Sequence, residues 1–143
     1  MNIYTVIPGR LFQCAEFINK PIEHKLGALM SHKIDVVINV YKHRDEELEE
    51  YLYRYWYDPI PDGKSFDPKV VLIIAHEATE LIRHGHVVLV HCHAGRNRSG
   101  LVSALIAREY LGISGAAAME LVRTRRPRAI DNQYFEDFLK ELK

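Results

Sequence analysis

The sequence predicts one α/β domain, a mostly parallel central sheet of about four to five strands flanked by helices. Three observations predict it. Two β-branched runs, Ile34–Val40 and Val87–His91, are largely apolar without alternation, as strands buried on both faces are. Stretches with apolar residues at helical spacing separate the strands. Three further helical stretches follow the last strand and supply a layer for one face of the sheet.

Taken in order, Ile3–Ile7 and Leu11–Cys14 read as short strands around the Pro8-Gly9 turn signal. Ile22 to His32 places Ile22, Leu26, Leu29 and Met30 at helical spacing. After the Ile34–Val40 strand, Asp45–Tyr51 reads as a short acidic helix and Tyr53–Tyr57 as a strand. Two prolines and a glycine make Asp58–Phe66 a loop. Asp67-Pro68 then has the form of an N-cap followed by proline at the first helical position. That helix runs to about Arg83 with Val71, Ile74, Ala78, Leu81 and Ile82 facing inward, and Gly85 ends it. Beyond Val87–His91, Ser99 starts a helix that reaches Gly112 and Ser114 caps another to about Arg125. Pro127 breaks the chain, and Asp131 is positioned to cap a last helix.

The 143 residues suit one domain, 1–143, with no repeat or linker inside it. Nineteen Lys+Arg against nineteen Asp+Glu give no bulk attraction to polyanions, so no stable nucleic-acid complex is expected. Two cysteines, Cys14 and Cys92, are too few for a disulfide scaffold. The opening Met1–Pro8 lacks a basic start and a long apolar run, and Val70–Ala75 is far short of a bilayer span. A reduced, cytoplasmic monomer away from membranes is the expectation.

In open α/β sheets, ligands bind beyond the carboxyl ends of the strands, which directs attention to the loop after Val90. It reads His91-Cys92-His93-Ala94-Gly95-Arg96-Asn97-Arg98-Ser99-Gly100. Running into a helix N-terminus, it offers unpaired amides and a partial positive charge to an anion. Five residues between Cys92 and Arg98 suffice to curl the backbone of His93, Ala94, Gly95, Arg96 and Asn97 into a cup, with Gly95 taking a backbone angle other residues resist. Arg98 would close the cup with a planar fork matched to two phosphate oxygens. The same surroundings favour sulfur as a thiolate, so nucleophile and oxyanion cradle occupy one loop.

With its Cys92-x5-Arg98-Ser99 signature, the loop resembles that of the cysteine-dependent protein tyrosine phosphatase superfamily. Chain length and the Pro61-Asp62-Gly63 loop resemble the compact dual-specificity branch. The tail Arg123-Thr124-Arg125-Arg126-Pro127, with Asn132 and Phe135, is similar to that of small bacterial, archaeal and phage members. The resemblance implies that fold and a phosphomonoester hydrolase acting through a phosphocysteine, with a phosphorylated protein as substrate and no metal or other cofactor. After a phosphorylated protein it admits a phosphoinositide, since His93 and Arg96 stand at loop positions that are basic in the phosphoinositide phosphatase acting on 3-phosphates. Asn97-Arg98-Ser99-Gly100 resembles RNA 5′-phosphatases, and a phosphate-binding pseudoenzyme is a further alternative.

By that resemblance Cys92 is the nucleophile, Arg98 and the loop amides hold the phosphoryl oxygens, and Ser99 stabilises the departing thiolate. Ser99 reads as well as an ordinary helix cap. Of three aspartates available as general acid, Asp67 is explained as a cap and Asp58 as a strand end. Asp62, thirty residues before Cys92, is assigned as acid and then as base. Its alternative is a plain turn residue. His91 is read as tuning the loop without acting as a base, and Asn39 as bracing it by a hydrogen bond or simply ending a strand. Asn132 or Gln133 could position water or start a helix. Successive strand residues point to opposite sides, so His91 and His93 do not converge with Cys92 on a metal. Cys14 could form a redox pair with Cys92 or be a packed thiol. The short Val40–Tyr55 connection leads us to expect a shallow pocket.

Overall fold

Both β-branched runs form central strands, and the alternation along them decides what each side of the sheet buries. The computed structural model describes residues 1–143. In chain order the elements are β1 (Ile3–Ile7), β2 (Leu11–Cys14), α1 (Ile22–Ser31), β3 (Val36–Asn39), α2 (Glu46–Glu49) and β4 (Arg54–Tyr57). They continue as α3 (Pro68–Arg83), β5 (Val88–His91), α4 (Arg98–Leu111), α5 (Gly115–Arg125) and α6 (Gln133–Glu141). The five strands run in the order β1-β2-β5-β3-β4, parallel except for the antiparallel β1–β2 pair.

Leu11, Val36, Ile38, Val88 and Val90 join one core with α3 to α6, while Phe12, Val37 and Leu89 join a smaller one with Leu29 of α1 and Leu48 of α2. Parallel strands covered on both faces need apolar residues at successive positions, which is the pattern read in β3 and β5. The smaller core is closed by a buried ion pair, Lys25 Nζ to Asp45 Oδ2 at 2.7 Å. Asp45 also caps α2 through Leu48 N, so its lone pairs are shared between a cation and an amide. Helical spacing had assigned Met30 to the inward face of α1. Met30 is instead 74% exposed, and Lys25 is buried because Asp45 meets its ammonium inside.

Asp67 caps α3 by accepting from Lys69 N, as its sequence indicates. The cap of α6 is not Asp131: Asn132 accepts from Tyr134 N and Phe135 N. No helix is long and apolar enough to cross a membrane. Cys14, His91, Asn39 and Tyr57 lie in one register row at the carboxyl edge of the four parallel strands. The loops leaving that row carry Tyr41, Asp62 and Cys92, while α4 and the α5–α6 connection supply the rest of the site.

Candidate active site

The loop Cys92–Asn97 leaves β5 and returns into α4 within hydrogen-bonding distance of itself, Cys92 Sγ lying 3.3 Å from Ser99 Oγ. Both residues are buried. Ser99 is therefore not the cap of α4, which opens at Arg98 without a side-chain cap. Its hydroxyl faces sulfur. A helix whose first amides have no cap is free to donate them to an anion in the loop. Gly95 has φ +69°, and a Cβ there would come within 2.6 Å of the Cys14 carbonyl carbon and 2.7 Å of Ala15 N. Curvature and contact with the end of β2 both demand glycine. Glu16 N donates to His93 O, fixing the loop's outer side. Arg98 Nε is buried with no protein partner, while its Cζ lies 5.7 Å from the centre of the Tyr41 ring. A buried guanidinium nitrogen without an acceptor is costly unless an oxyanion arrives.

Asp62 is tied to the loop from two sides. Asn132 Nδ2 donates to its Oδ1 at 2.8 Å and Asn97 Nδ2 reaches its Oδ2 at 3.4 Å. Asn97 Oδ1 in turn accepts from Asp131 N and Asn132 N. Asn97 is thus a bracket, leaving its backbone amide and not its side chain for phosphate. Asp67 stays with α3, and Asp58 extends the β4 pairing by donating its amide to Asn39 O. Gln133 turns away to Asp137.

Two sequence assignments change, those of Asn39 and Arg96, while His91 stays beside the loop without acting as a base. Asn39 makes no hydrogen bond to the phosphate loop: it donates to His43 O and the Tyr55 hydroxyl and accepts from Tyr41 N. It shapes the turn that presents Tyr41, whose ring stacks on His93 with centroids 5.2 Å apart. Arg96 is engaged by the Asp131 carboxylate and the Arg128 carbonyl, so its guanidinium is not free to line the anion site. His91 is fully buried against Phe17, and burial pushes its imidazole down to about 4. Neutral at physiological pH, it brings no charge to the loop. Tyr41 escaped the sequence reading because nothing in Val40-Tyr41-Lys42 distinguishes a wall of the site from a loop aromatic.

Both cysteines are free. Cys14 belongs to the smaller core and Cys92 to the larger, and burial together with the neighbouring Cys92 pushes the Cys14 thiol up. An open cleft of about 490 Å³ begins at Tyr41 and runs past His43 and Arg44 to Glu16 and Asn19.

Comparison with known proteins places this geometry. Residues 17–143 match the family model described as dual specificity phosphatase, catalytic domain. The structure of Tk-PTP in its active form is similar over 98% of this chain and 95% of its own, with a TM-score of 0.81 and 28% identity. Human DUSP28 shares the fold over 97% of this chain and 90% of its own, with a TM-score of 0.78 at 23% identity. So does a human tyrosine phosphatase-like serine/threonine/tyrosine-interacting protein, with 97% and 93% covered, a TM-score of 0.73 and 23% identity. No curated protein matches the chain in sequence.

Proposed function

The chain belongs to the dual specificity phosphatase catalytic-domain family, and we propose that it hydrolyses phosphomonoesters of proteins through a phosphocysteine on Cys92. Family and neighbours make it a cysteine-dependent tyrosine or dual-specificity phosphatase; the roles of individual residues follow from their chemistry. In the first step the Cys92 thiolate attacks phosphorus and the ester P–O bond breaks. The leaving oxygen takes the proton of the Asp62 carboxyl. Arg98 and the amides of His93 to Arg98 hold the three non-bridging oxygens as charge redistributes. In the second step water attacks phosphorus and gives a proton to the Asp62 carboxylate. The S–P bond breaks, Ser99 O–H donates to the returning thiolate, and inorganic phosphate leaves. No step calls for a metal.

The observation that carries this reading is the buried, partnerless Arg98 Nε beside a loop closed by the 3.3 Å Cys92–Ser99 contact. A buried donor held beside a curled loop suits one oxyanion. Arg96, one of the two basic positions shared with phosphoinositide phosphatases, is neutralised by Asp131. That favours a phosphoprotein over a phosphoinositide.

Phosphotyrosine and phosphoserine peptides, phosphoinositides and triphosphate-ended RNA, assayed at matched concentration, test the reading. Turnover is expected to be highest on phosphopeptides and unaffected by chelators. Preference for a lipid or RNA would overturn the substrate class, and activity surviving in Cys92→Ser would overturn the mechanism.

A further inference from the structure

Two of the three non-glycine residues with left-handed backbone, the other being Lys33, fall in the connection between α5 and α6. Arg128 and Ile130 have φ of +69° and +57°. Left-handed backbone is unusual for any side chain and rarer still for a β-branched one, so surrounding contacts must hold it. Several of those contacts lead to the site. Ile130 N donates to Arg96 O, and the buried Ile130 side chain packs so closely on Gly100 that a Cβ there would lie 3.0 Å from Ile130 Cγ1. Asp131 N and Asn132 N donate to Asn97, and Asn132 reaches Asp62. Residues 128–132 therefore form a strap joining the phosphate loop to the acid-bearing loop.

One side chain pins the strained part of the strap. Arg123 Nε donates to Ala129 O at 3.1 Å and its Nη2 to Ile130 O at 2.6 Å. Its remaining nitrogen lies 3.2 Å from Glu136 of α6. A planar fork serves two successive carbonyls at once; an ammonium lacks that geometry.

We infer that Arg123 is a positioning residue, holding the 128–132 strap so that Asp62 and the Arg96–Asn97 segment keep their mutual placement. The inference rests on the reading of Asp62 as the acid. Arg123 touches no reacting atom; it acts through Ile130, Asn97 and Asn132. Two variants separate the fork from the ion pair. Arg123→Lys keeps the charge near Glu136 and loses the fork. Glu136→Gln keeps the fork and loses the nearer of its two charge pairs, Glu120 lying 3.6 Å from the same nitrogen.

The experiment compares kcat/KM on an activated aryl phosphate and on an alkyl phosphate, with Asp62→Asn as reference and thermal melting to verify folding. General acid catalysis contributes typically about 10²–10⁴-fold, so partial misplacement should cost Arg123→Lys about tenfold more on the alkyl ester than on the aryl ester. Glu136→Gln should leave that ratio unchanged. Equal losses on both esters in Arg123→Lys, against a selective loss in Asp62→Asn, would overturn the inference. So would an unchanged ratio in Arg123→Lys. Should Asp62→Asn itself show no selectivity, the acid assignment fails and tungstate affinity decides for Arg123. Weaker binding in Arg123→Lys than in Glu136→Gln would then sustain the strap, and equal binding would overturn it.

Discussion

On one face of the sheet, α3 to α6 enclose a core of 28 buried residues, strand side chains included, whereas on the other α1 and α2 enclose one of eight and a buried ion pair. The groups proposed for bond making come largely from the thick face. Cys92 is part of its core, Ser99 lies in the first turn of α4, and Asn132 caps α6. The thin face contributes the surroundings of the mouth: Asn39 orders the turn to Tyr41, and Tyr41 walls Arg98 and His93. Close packing of many apolar side chains fixes positions to fractions of an ångström, as a nucleophile and its acid require. A small core with an internal charge pair has less apolar area to fix anything. It is the face where sequence change should alter recognition before it alters chemistry.

The comparison can be broken or sharpened by four changes, taken from the largest effect down. Cys92→Ser should lower aryl phosphate turnover by roughly 10⁴-fold or more while tungstate still binds, because the cup of amides and Arg98 remains. Normal turnover in this variant would remove the chemistry from the thick face altogether. On the thin face, Lys25→Met should cost about 3–5 kcal/mol in chemical denaturation, since it leaves Asp45 buried without its cation. A loss under 1 kcal/mol would mean that the small core closes without its ion pair.

Gly95→Ala falls at the seam, where the loop meets the Cys14–Ala15 backbone. Left-handed strain and overpacking together predict a loss of about 2–5 kcal/mol, accompanied by reduced turnover. Unchanged melting and kinetics would show that the loop reseats at no cost.

The smallest effect is a pH dependence. His91 is pushed down to about 4 in the folded protein, against about 6.5 in the unfolded chain. Between those values the unfolded chain binds a proton that the folded one refuses. Stability is thus full above pH 6.5, declines as pH falls to about 4, and levels off below. The loss is up to about 3 kcal/mol. Denaturant titrations across that range should show the decline in the native protein and a flatter line in His91→Phe, which keeps a tilted ring against Phe17. Equal slopes would contradict the burial argument.

The parallel strands, the Asp67 cap and the Cys92–Ser99 loop were legible because each rests on a local rule: alternation, capping chemistry, a glycine between a strand and a helix. Lys25 was not legible, since its partner lies twenty residues away and burial of a lysine makes sense only once Asp45 is beside it. Nor was the strap, because Arg128 and Ile130 are residues that ordinarily avoid left-handed backbone and only Arg123 and Gly100 explain why they adopt it. For Asn132 the sequence offered two roles, positioning water or starting a helix, and its capping of α6 bears out the second. Its link to Asp62 joins positions seventy residues apart, which no periodicity reports.

The central claim is a covalent one, and rapid acid quenching during turnover of a labelled aryl phosphate tests it most directly. With Asp62→Asn slowing the second step, label should accumulate on the peptide containing Cys92, approach one phosphoryl group per chain, and vanish in Cys92→Ser. Steady turnover with no label on that peptide, or label on another residue, would contradict the account.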